Sequence, residues 1–155
     1  VNTRLMKLDN GEYDAIILAC AGLIRLGFED RIKQPLDAQT SLPAVGQGAL
    51  GIENRKGDEV VRELIKPLID SKTMTEVLAE RAMNATLEGS CSVAIAGYAK
   101  TIGEELLLKG LVGNVESGSI LRAESTGSSS QPKALGELVA NQLLDIGAGK
   151  LLKRG

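Results

Sequence analysis

The spacing of apolar residues changes along this chain, and the order of those changes limits the possible folds more than any other feature of the sequence. From Gly57 the apolar residues keep the three-to-four spacing of amphipathic helices. Residues 93–99, 105–111 and 119–124 are then three short strand-like runs separated by glycine-containing turns. Helical spacing returns from Pro132 until Gly147. This order predicts an α+β domain in which a three-stranded antiparallel sheet carries helices on one face.

The helical stretches of this region are predicted to bury one apolar face each. A capping-box pattern at residues 73–76 predicts the start of the second helix, and Gly89 its end. The predicted faces are, in chain order, Val60, Val61, Leu64, Ile65 and Leu68; Met74, Val77, Leu78, Ala82 and Ala85; and Leu135, Leu138, Val139, Leu143 and Ile146.

The first forty residues have a different pattern. A helix ends at Gly11, the short apolar run 14–19 predicts a strand covered on both faces, and residues 21–26 predict a short helix behind it. This strand-to-helix passage is typical of an α/β unit, whose ligand sites lie at strand carboxyl ends and helix amino ends. Attention therefore falls on residues 19–25.

A glycine-rich segment follows a polar connection at residues 29–41. Its second half, within residues 42–53, is predicted to be a strand. Gly46, Gly48 and Gly51 match the spacing of a dinucleotide-binding loop, but they do not lie between a strand and a helix. We therefore interpret these glycines as permitting a bend or a close backbone approach.

Composition excludes several classes of function. The chain has 155 residues, no histidine and a net charge of −2, so it lacks the commonest general base and has no overall positive field for polyanions. Its few aromatic residues are too scattered to stack nucleic acid bases, and no apolar run approaches the length of a membrane span. We predict neither nucleic acid nor membrane binding, no metal site, and reduced cysteines in the cytoplasm.

Four residues could carry chemistry or binding. Cys91 lies between a predicted helix end and a strand start, where a thiol can face a cleft, although an inert buried thiol is the alternative. Cys20 ends an apolar run and is interpreted as core. Arg4 and Arg25 flank the predicted strand-to-helix site and could hold carboxylates, with solvated surface arginines as the alternative.

Three sequence blocks resemble the porphobilinogen deaminase family, also called hydroxymethylbilane synthase. They occur in the order and at the spacing of that family and together extend over nearly the whole chain. The blocks are ERAMNATLEGSCSV at residues 80–93; the stretches TRL at 3–5, LDNGEYDAIILA at 8–19, AGL at 21–23 and RLG at 25–27; and LPAVGQGA at residues 42–49.

The resemblance implies a transferase that joins four porphobilinogen molecules head to tail and releases ammonia at each step. It also implies a dipyrromethane cofactor bound by a thioether to Cys91, which would be an anchor and not a turnover nucleophile. Arginines matching Arg4 and Arg25 would hold pyrrole acetates and propionates. The resemblance also implies that backbone amides near Ala19 and Gly22 bind anions and that Gln47 lies near the cleft.

The same resemblance implies that the chain is a fragment. Residues 1–40 would belong to the family's second, α/β domain, 41–69 would cross back toward a missing first domain, and 70–155 would be the α+β domain. The catalytic aspartate is expected upstream of Val1, so no catalytic residue is assigned here, and the fragment is predicted to be inactive alone. Ala94 replaces the family's usual proline, which we expect to leave cofactor attachment intact.

Two alternatives to the enzyme remain open. A non-enzymatic α/β module could bind small carboxylates through arginines at strand ends without any chemistry. A purely structural fragment is the other alternative.

Overall fold

The predicted antiparallel sheet is present in the computed structural model, which describes residues 1–87 and 94–152. Its strands are β1 (Ala94–Ile102), β2 (Glu105–Gly113) and β3 (Ile120–Ser128), paired in that order. All three extend further toward their carboxyl ends than predicted, because the cross-strand hydrogen bonds continue through residues that break the apolar alternation. The α+β prediction is confirmed.

The chain divides into two units, Val1–Asp37 and the part from Ala38 onwards. The helices of the described residues are α1 (Asn2–Asp9), α2 (Cys20–Arg25), α3 (Glu59–Ile65), α4 (Ser71–Thr86), α5 (Pro132–Asp145) and α6 (Ala148–Leu152), with single 3₁₀ turns at Glu29–Arg31 and Lys66–Leu68.

The core of the second unit lies between the sheet and helices α4 and α5. Alternate residues of β2 point toward the helices and are fully buried, as the two-residue period of a strand requires. The members of this core are aliphatic residues and one methionine: Ala79, Met83, Leu87, Ala99, Leu106, Leu108, Val112, Leu135, Val139, Ala140, Leu143 and Ala148.

The predicted start of α4 is wrong by one turn. Asp70 is its N-cap, and its Oδ1 accepts the backbone N–H of Thr73 at 2.7 Å, so Thr73 lies inside the first turn. The predicted apolar face is also displaced, because α4 packs against both α5 and β1. Ala79, Glu80 and Met83 are buried there, whereas Met74 is 45% exposed.

Helix α5 begins at Pro132 as predicted, and Leu135, Val139 and Leu143 of its predicted apolar face are buried, whereas the rest of that face is not. Leu138 and Ile146 are about half exposed, and the small residues Gly136 and Ala140 are buried in their place. Close contact with α4 explains the difference, because two helices can approach closely only where small residues meet.

The first unit has two short helices that end at glycines. Gly11 and Gly27 have φ near +74°, the left-handed conformation that commonly ends a helix. Leu5 of α1 and Leu23 of α2 are buried. Helix α2 confirms the predicted helix within one residue, whereas the predicted strand at residues 14–19 is absent. A strand requires hydrogen bonds from a neighbour, and no neighbour is found among the described residues of this unit.

Two predictions for residues 42–68 have different outcomes. The strand expected in the second half of residues 42–53 is wrong, since the structure has turns and irregular backbone there. The amphipathic helix is present as α3, with Asp58 as its N-cap. Two of its apolar side chains are nevertheless uncovered, with Val60 74% and Leu64 72% exposed.

Candidate functional site

The segment that contains Cys91 connects α4 to β1. Cys91 itself lies outside the described residues, as do its neighbours at 88–90 and 92–93. The residue before this segment, Leu87, is only 2% exposed and belongs to the core cluster. The chain therefore enters the cysteine segment from a helix end that is packed into the core.

Helix α4 is held on the sheet through Met83. A Cβ atom at Gly97 would lie 2.7 Å from Met83 Cε, and one at Gly110 would lie 2.5 Å from Met83 Sδ. Both distances are well inside ordinary contact distance, so these two glycines form the groove that the methionine occupies. Local spacing gave no sign of this groove, because it joins residues from a helix and two strands.

The free edge of β1 is closed by a loop and by two glutamates of α4. Gly97 N–H donates to the carbonyl of Pro43 at 3.1 Å. Ala99 N–H donates to Glu80 Oε1 at 2.8 Å, and Thr101 N–H donates to Glu76 Oε1 at 2.8 Å. An unpaired strand edge invites pairing with other chains, so these acceptors protect the edge of the sheet.

Glu80 makes a second hydrogen bond through its other oxygen. Gly46 N–H donates to Glu80 Oε2 at 2.7 Å, and the residue is only 6% exposed. Burial raises the pKa of Glu80, the hydrogen bonds from Ala99 and Gly46 oppose that rise, and the nearby carboxylate of Glu76 adds to it. One carboxylate thus connects α4, β1 and the glycine-rich segment.

Gln47, one of the predicted cleft residues, lies in a turn over residues 44–49. Gly46 and Gly48 on either side have φ of 71° and 89°. The turn is closed by Gln47 N–H donating to Ala44 O at 2.9 Å and Ala49 N–H donating to Gly46 O at 3.1 Å. The interpretation as bend residues is confirmed for Gly46 and Gly48. The Gln47 side chain is exposed and has no hydrogen-bond partner among the described residues.

Arg4 and Arg25, the predicted carboxylate-binding residues, both belong to the first unit. Both are exposed, and within the described residues neither has a hydrogen-bond or ion-pair partner. Arg31 of the same unit is instead paired with Asp9. The two predicted arginines therefore keep all their donors available for a ligand.

The backbone amides proposed near α2 differ in availability. Gly22 N–H already donates to Ala19 O at 3.0 Å, within the first turn of the helix. Ala19, the N-cap residue, has extended backbone, and its own N–H makes no backbone bond to the described residues. Cys20, interpreted as core, is an intermediate-exposure free thiol.

A pocket of about 320 Å³ lies on the sheet face opposite the helices, beside the segment that begins at Ala38. It contains none of the predicted site residues. Its lining is Ala38, Gln39, Leu42, Lys109, Gly110, Arg122, Ala123 and Glu124.

The described residues contain no group of three or more His, Cys, Asp or Glu side chains that could hold a metal ion. None of the helices in residues 1–87 and 94–152 combines the length and apolar character needed to cross a bilayer.

Two family models match the chain in succession. Residues 1–63 match "Porphobilinogen deaminase, dipyromethane cofactor binding domain" and residues 74–145 match "Porphobilinogen deaminase, C-terminal domain". The chain belongs to the porphobilinogen deaminase family. Cys91 falls within the second of these matches.

Two curated porphobilinogen deaminases illustrate the similarity. The chain is 60% identical over 153 residues to that of Ruthia magnifica subsp. Calyptogena magnifica and 56% identical over 153 residues to that of Vesicomyosocius okutanii subsp. Calyptogena okutanii (strain HA). Each alignment covers 99% of this chain but 50% of the relative. The chain thus spans about half the length of these porphobilinogen deaminases.

Sequence reasoning missed Glu80, although the residue opens the block that resembles the cofactor-attachment signature. The signal was available: Glu80 lies on the stripe of α4 that also contains Ala79, Met83 and Leu87. Charged residues are rarely buried unless they are paired, so the position of Glu80 on this stripe could have predicted a specific hydrogen-bond or ion-pair partner.

Proposed function

We propose that this chain is the carboxyl-terminal half of an enzyme that condenses four porphobilinogen molecules into hydroxymethylbilane with release of ammonia. The observation that carries the proposal is 60% identity over 99% of the chain to a porphobilinogen deaminase. The block at residues 80–93 supports a thioether from Cys91 to a dipyrromethane cofactor, which when bound supplies the primer for chain growth.

The role proposed for this chain is to anchor the pyrrole oligomer and to offset its charge. Each pyrrole unit brings two carboxylates, and guanidinium groups bind carboxylates through paired, charge-assisted hydrogen bonds. Arg4 and Arg25 fit this task because they are exposed and, within the described residues, unpartnered. The Ala19 N–H, which makes no backbone bond to the described residues, could serve the same purpose, whereas the Gly22 N–H would have to share the bond that it makes to Ala19 O.

We also propose that the amino-terminal half of the same enzyme is the protein partner of this chain. The relatives are about twice as long as the aligned region, which supports a missing half. The uncovered apolar side chains of α3 and of the following turn, among them Val60, Leu64 and Leu68, are surface that such a partner would bury. The catalytic aspartate would come from that half. A cytoplasmic location is proposed because the two cysteines encode no disulfide framework.

A chimera tests the proposed function directly. The amino-terminal half of the Ruthia magnifica relative is joined to this chain, and intact mass and hydroxymethylbilane formation from porphobilinogen are measured. We expect a covalent adduct that disappears in Cys91→Ala but persists in the matched variant Cys20→Ala. A chimera that folds, stays unmodified and still binds small polycarboxylates would contradict the enzyme and support the carboxylate-binding module.

The arginines are tested in the same chimera. Arg4→Gln and Arg25→Gln should each raise KM for porphobilinogen or lower kcat by about tenfold or more, since each removes charge-assisted hydrogen bonds. Arg62→Gln is the control, because Arg62 is exposed and is paired with Glu59 of the same helix. Equal activity in all three variants would contradict the proposal that Arg4 and Arg25 bind the pyrrole carboxylates.

A further inference from the structure

Glu80 connects two segments that are far apart in the sequence. Within residues 1–87 and 94–152 it is the only charged residue classed as buried, at 6% exposure. Its oxygens accept the N–H of Gly46, in the turn 44–49, and the N–H of Ala99, in β1. Removing these acceptors would leave two polar groups without partners, at least one of them buried.

Two further contacts join the turn 44–49 and its preceding residue to the described part of the sheet. Pro43 O accepts the N–H of Gly97, and the Val45 side chain packs against the core beside Gly97. Gln47 contributes nothing to this docking, because its side chain is exposed and unpartnered among the described residues. The position of Gln47 is therefore set by the backbone of the turn, which Glu80 binds one residue earlier.

We infer that Glu80 is a positioning residue that holds the turn 44–49 against β1 and thereby places Gln47 relative to the helix leading to Cys91. The docking of the turn rests on the hydrogen bonds that Glu80 accepts from Gly46 and Ala99, and it does not depend on the proposed function. The effect on catalysis rests on the proposed function, in which Gln47 lies near the pyrrole oligomer.

The number of hydrogen bonds distinguishes Glu80 from Glu76, which lies one helical turn earlier. Glu76 accepts one backbone N–H, that of Thr101, so the carbonyl oxygen of a glutamine can replace it. Glu80 accepts two, and a glutamine would set its NH₂ group against one of the donors. The bond to Ala99 is buried and the bond to Gly46 is partly buried, so we expect the remaining oxygen to stay with Ala99.

Amide hydrogen exchange measured by NMR on this chain tests the docking. In Glu80→Gln the amide of Gly46 should exchange at least about tenfold faster than in the wild type, because its acceptor is lost. In Glu76→Gln the amides of Gly46 and Thr101 should keep their protection. If Glu80→Gln does not fold, the wild type decides: the amide shifts of Gly46 and Ala99 should titrate together, with one midpoint above the ordinary glutamate value.

A double-mutant cycle in the chimera tests the positioning of Gln47. Glu80→Gln and Gln47→Ala should each lower kcat/KM for porphobilinogen, and the double variant should be no worse than Gln47→Ala, because both changes remove the same interaction. Glu76→Gln should retain wild-type kcat/KM. The lower kcat/KM of Glu80→Gln should persist at temperatures well below the Tm of this variant, where the protein is folded.

Several results would overturn the inference. Unchanged exchange at Gly46 in folded Glu80→Gln, or independent titration of the two amides, would contradict the docking. Additive losses in the double variant, or a Glu80→Gln protein that melts earlier but has normal kcat/KM when folded, would reduce Glu80 to a stabilising residue. A wild-type chimera without product would contradict the proposed function, and the exchange of Gly46 would still decide the docking.

Discussion

Gly136→Ala tests the packing that fixes helix α4, the helix that leads into the cysteine segment. A Cβ atom at Gly136 would lie 2.6 Å from Ala82 Cβ and 2.8 Å from the backbone nitrogen of Met83. Carbon atoms in favourable contact are about 3.5–4.0 Å apart, so the two helices would have to separate by about 1 Å. No side-chain rotation can relieve the overlap, because the contacts are with backbone and with another Cβ.

The magnitude follows from two opposing effects. Overpacking of this kind costs about 1–3 kcal/mol, and the rigid contacts place Gly136→Ala toward the upper end. Alanine is the better helix former by about 0.8–1.0 kcal/mol, which offsets part of the cost. We expect a net loss of about 1–2 kcal/mol in the free energy of unfolding, which for a chain of this size is a decrease of roughly 2–8 °C in Tm.

Gly149→Ala is the matched control. It lies in α6, where a Cβ atom would be 3.8 Å from Leu144 Cδ2, an ordinary contact. The helix propensity gain is then unopposed, so the variant should be as stable as the wild type or more stable by up to about 1 kcal/mol. Urea unfolding followed by circular dichroism compares the two variants. Equal stabilities would show that α4 and α5 are not packed as closely as described, and the reasoning would fail.

Three further predictions concern the core, one buried glutamate and one helix cap. Met83→Ala should lower the free energy of unfolding by about 2–5 kcal/mol in urea, since it empties the groove over Gly97 and Gly110, and a smaller loss would contradict that packing. Because burial raises the pKa of Glu80 above 4.5, its contribution to stability is full below that pH and is lost as pH rises through the folded pKa. Unfolding curves from about pH 4 to 7 should show this dependence in the wild type but not in Glu80→Gln, and parallel curves would refute it. The pKa of Asp70 is lowered by its hydrogen bonds with Thr73, so its contribution to stability is present above pH 3.8 and is lost as pH falls through its folded pKa. Asp70→Ala should remove this loss of stability at low pH, as measured by Tm over a series of pH values.

The helices and strands of the second unit could be predicted because their signals are local. Strands β1 to β3 come from short alternating runs between glycine turns, and α5 from Pro132 and an apolar spacing that continues to Leu143. The family could be identified for a similar reason, since its blocks are contiguous stretches of sequence. Neither inference needed to know which residues meet in space.

The buried faces and the connections of Glu80 depended on the tertiary structure. Helical periodicity states that one face is apolar, but the buried face of α4 is chosen by the small residues of α5 and by the glycines of β1 and β2. A strand at residues 14–19 was predicted from its own residues and is absent, because a strand exists only with a partner. The hydrogen bonds of Glu80 likewise could not be predicted from its sequence neighbours. Its two donors lie 34 positions before it and 19 after it, a distance over which only the folded chain brings them together.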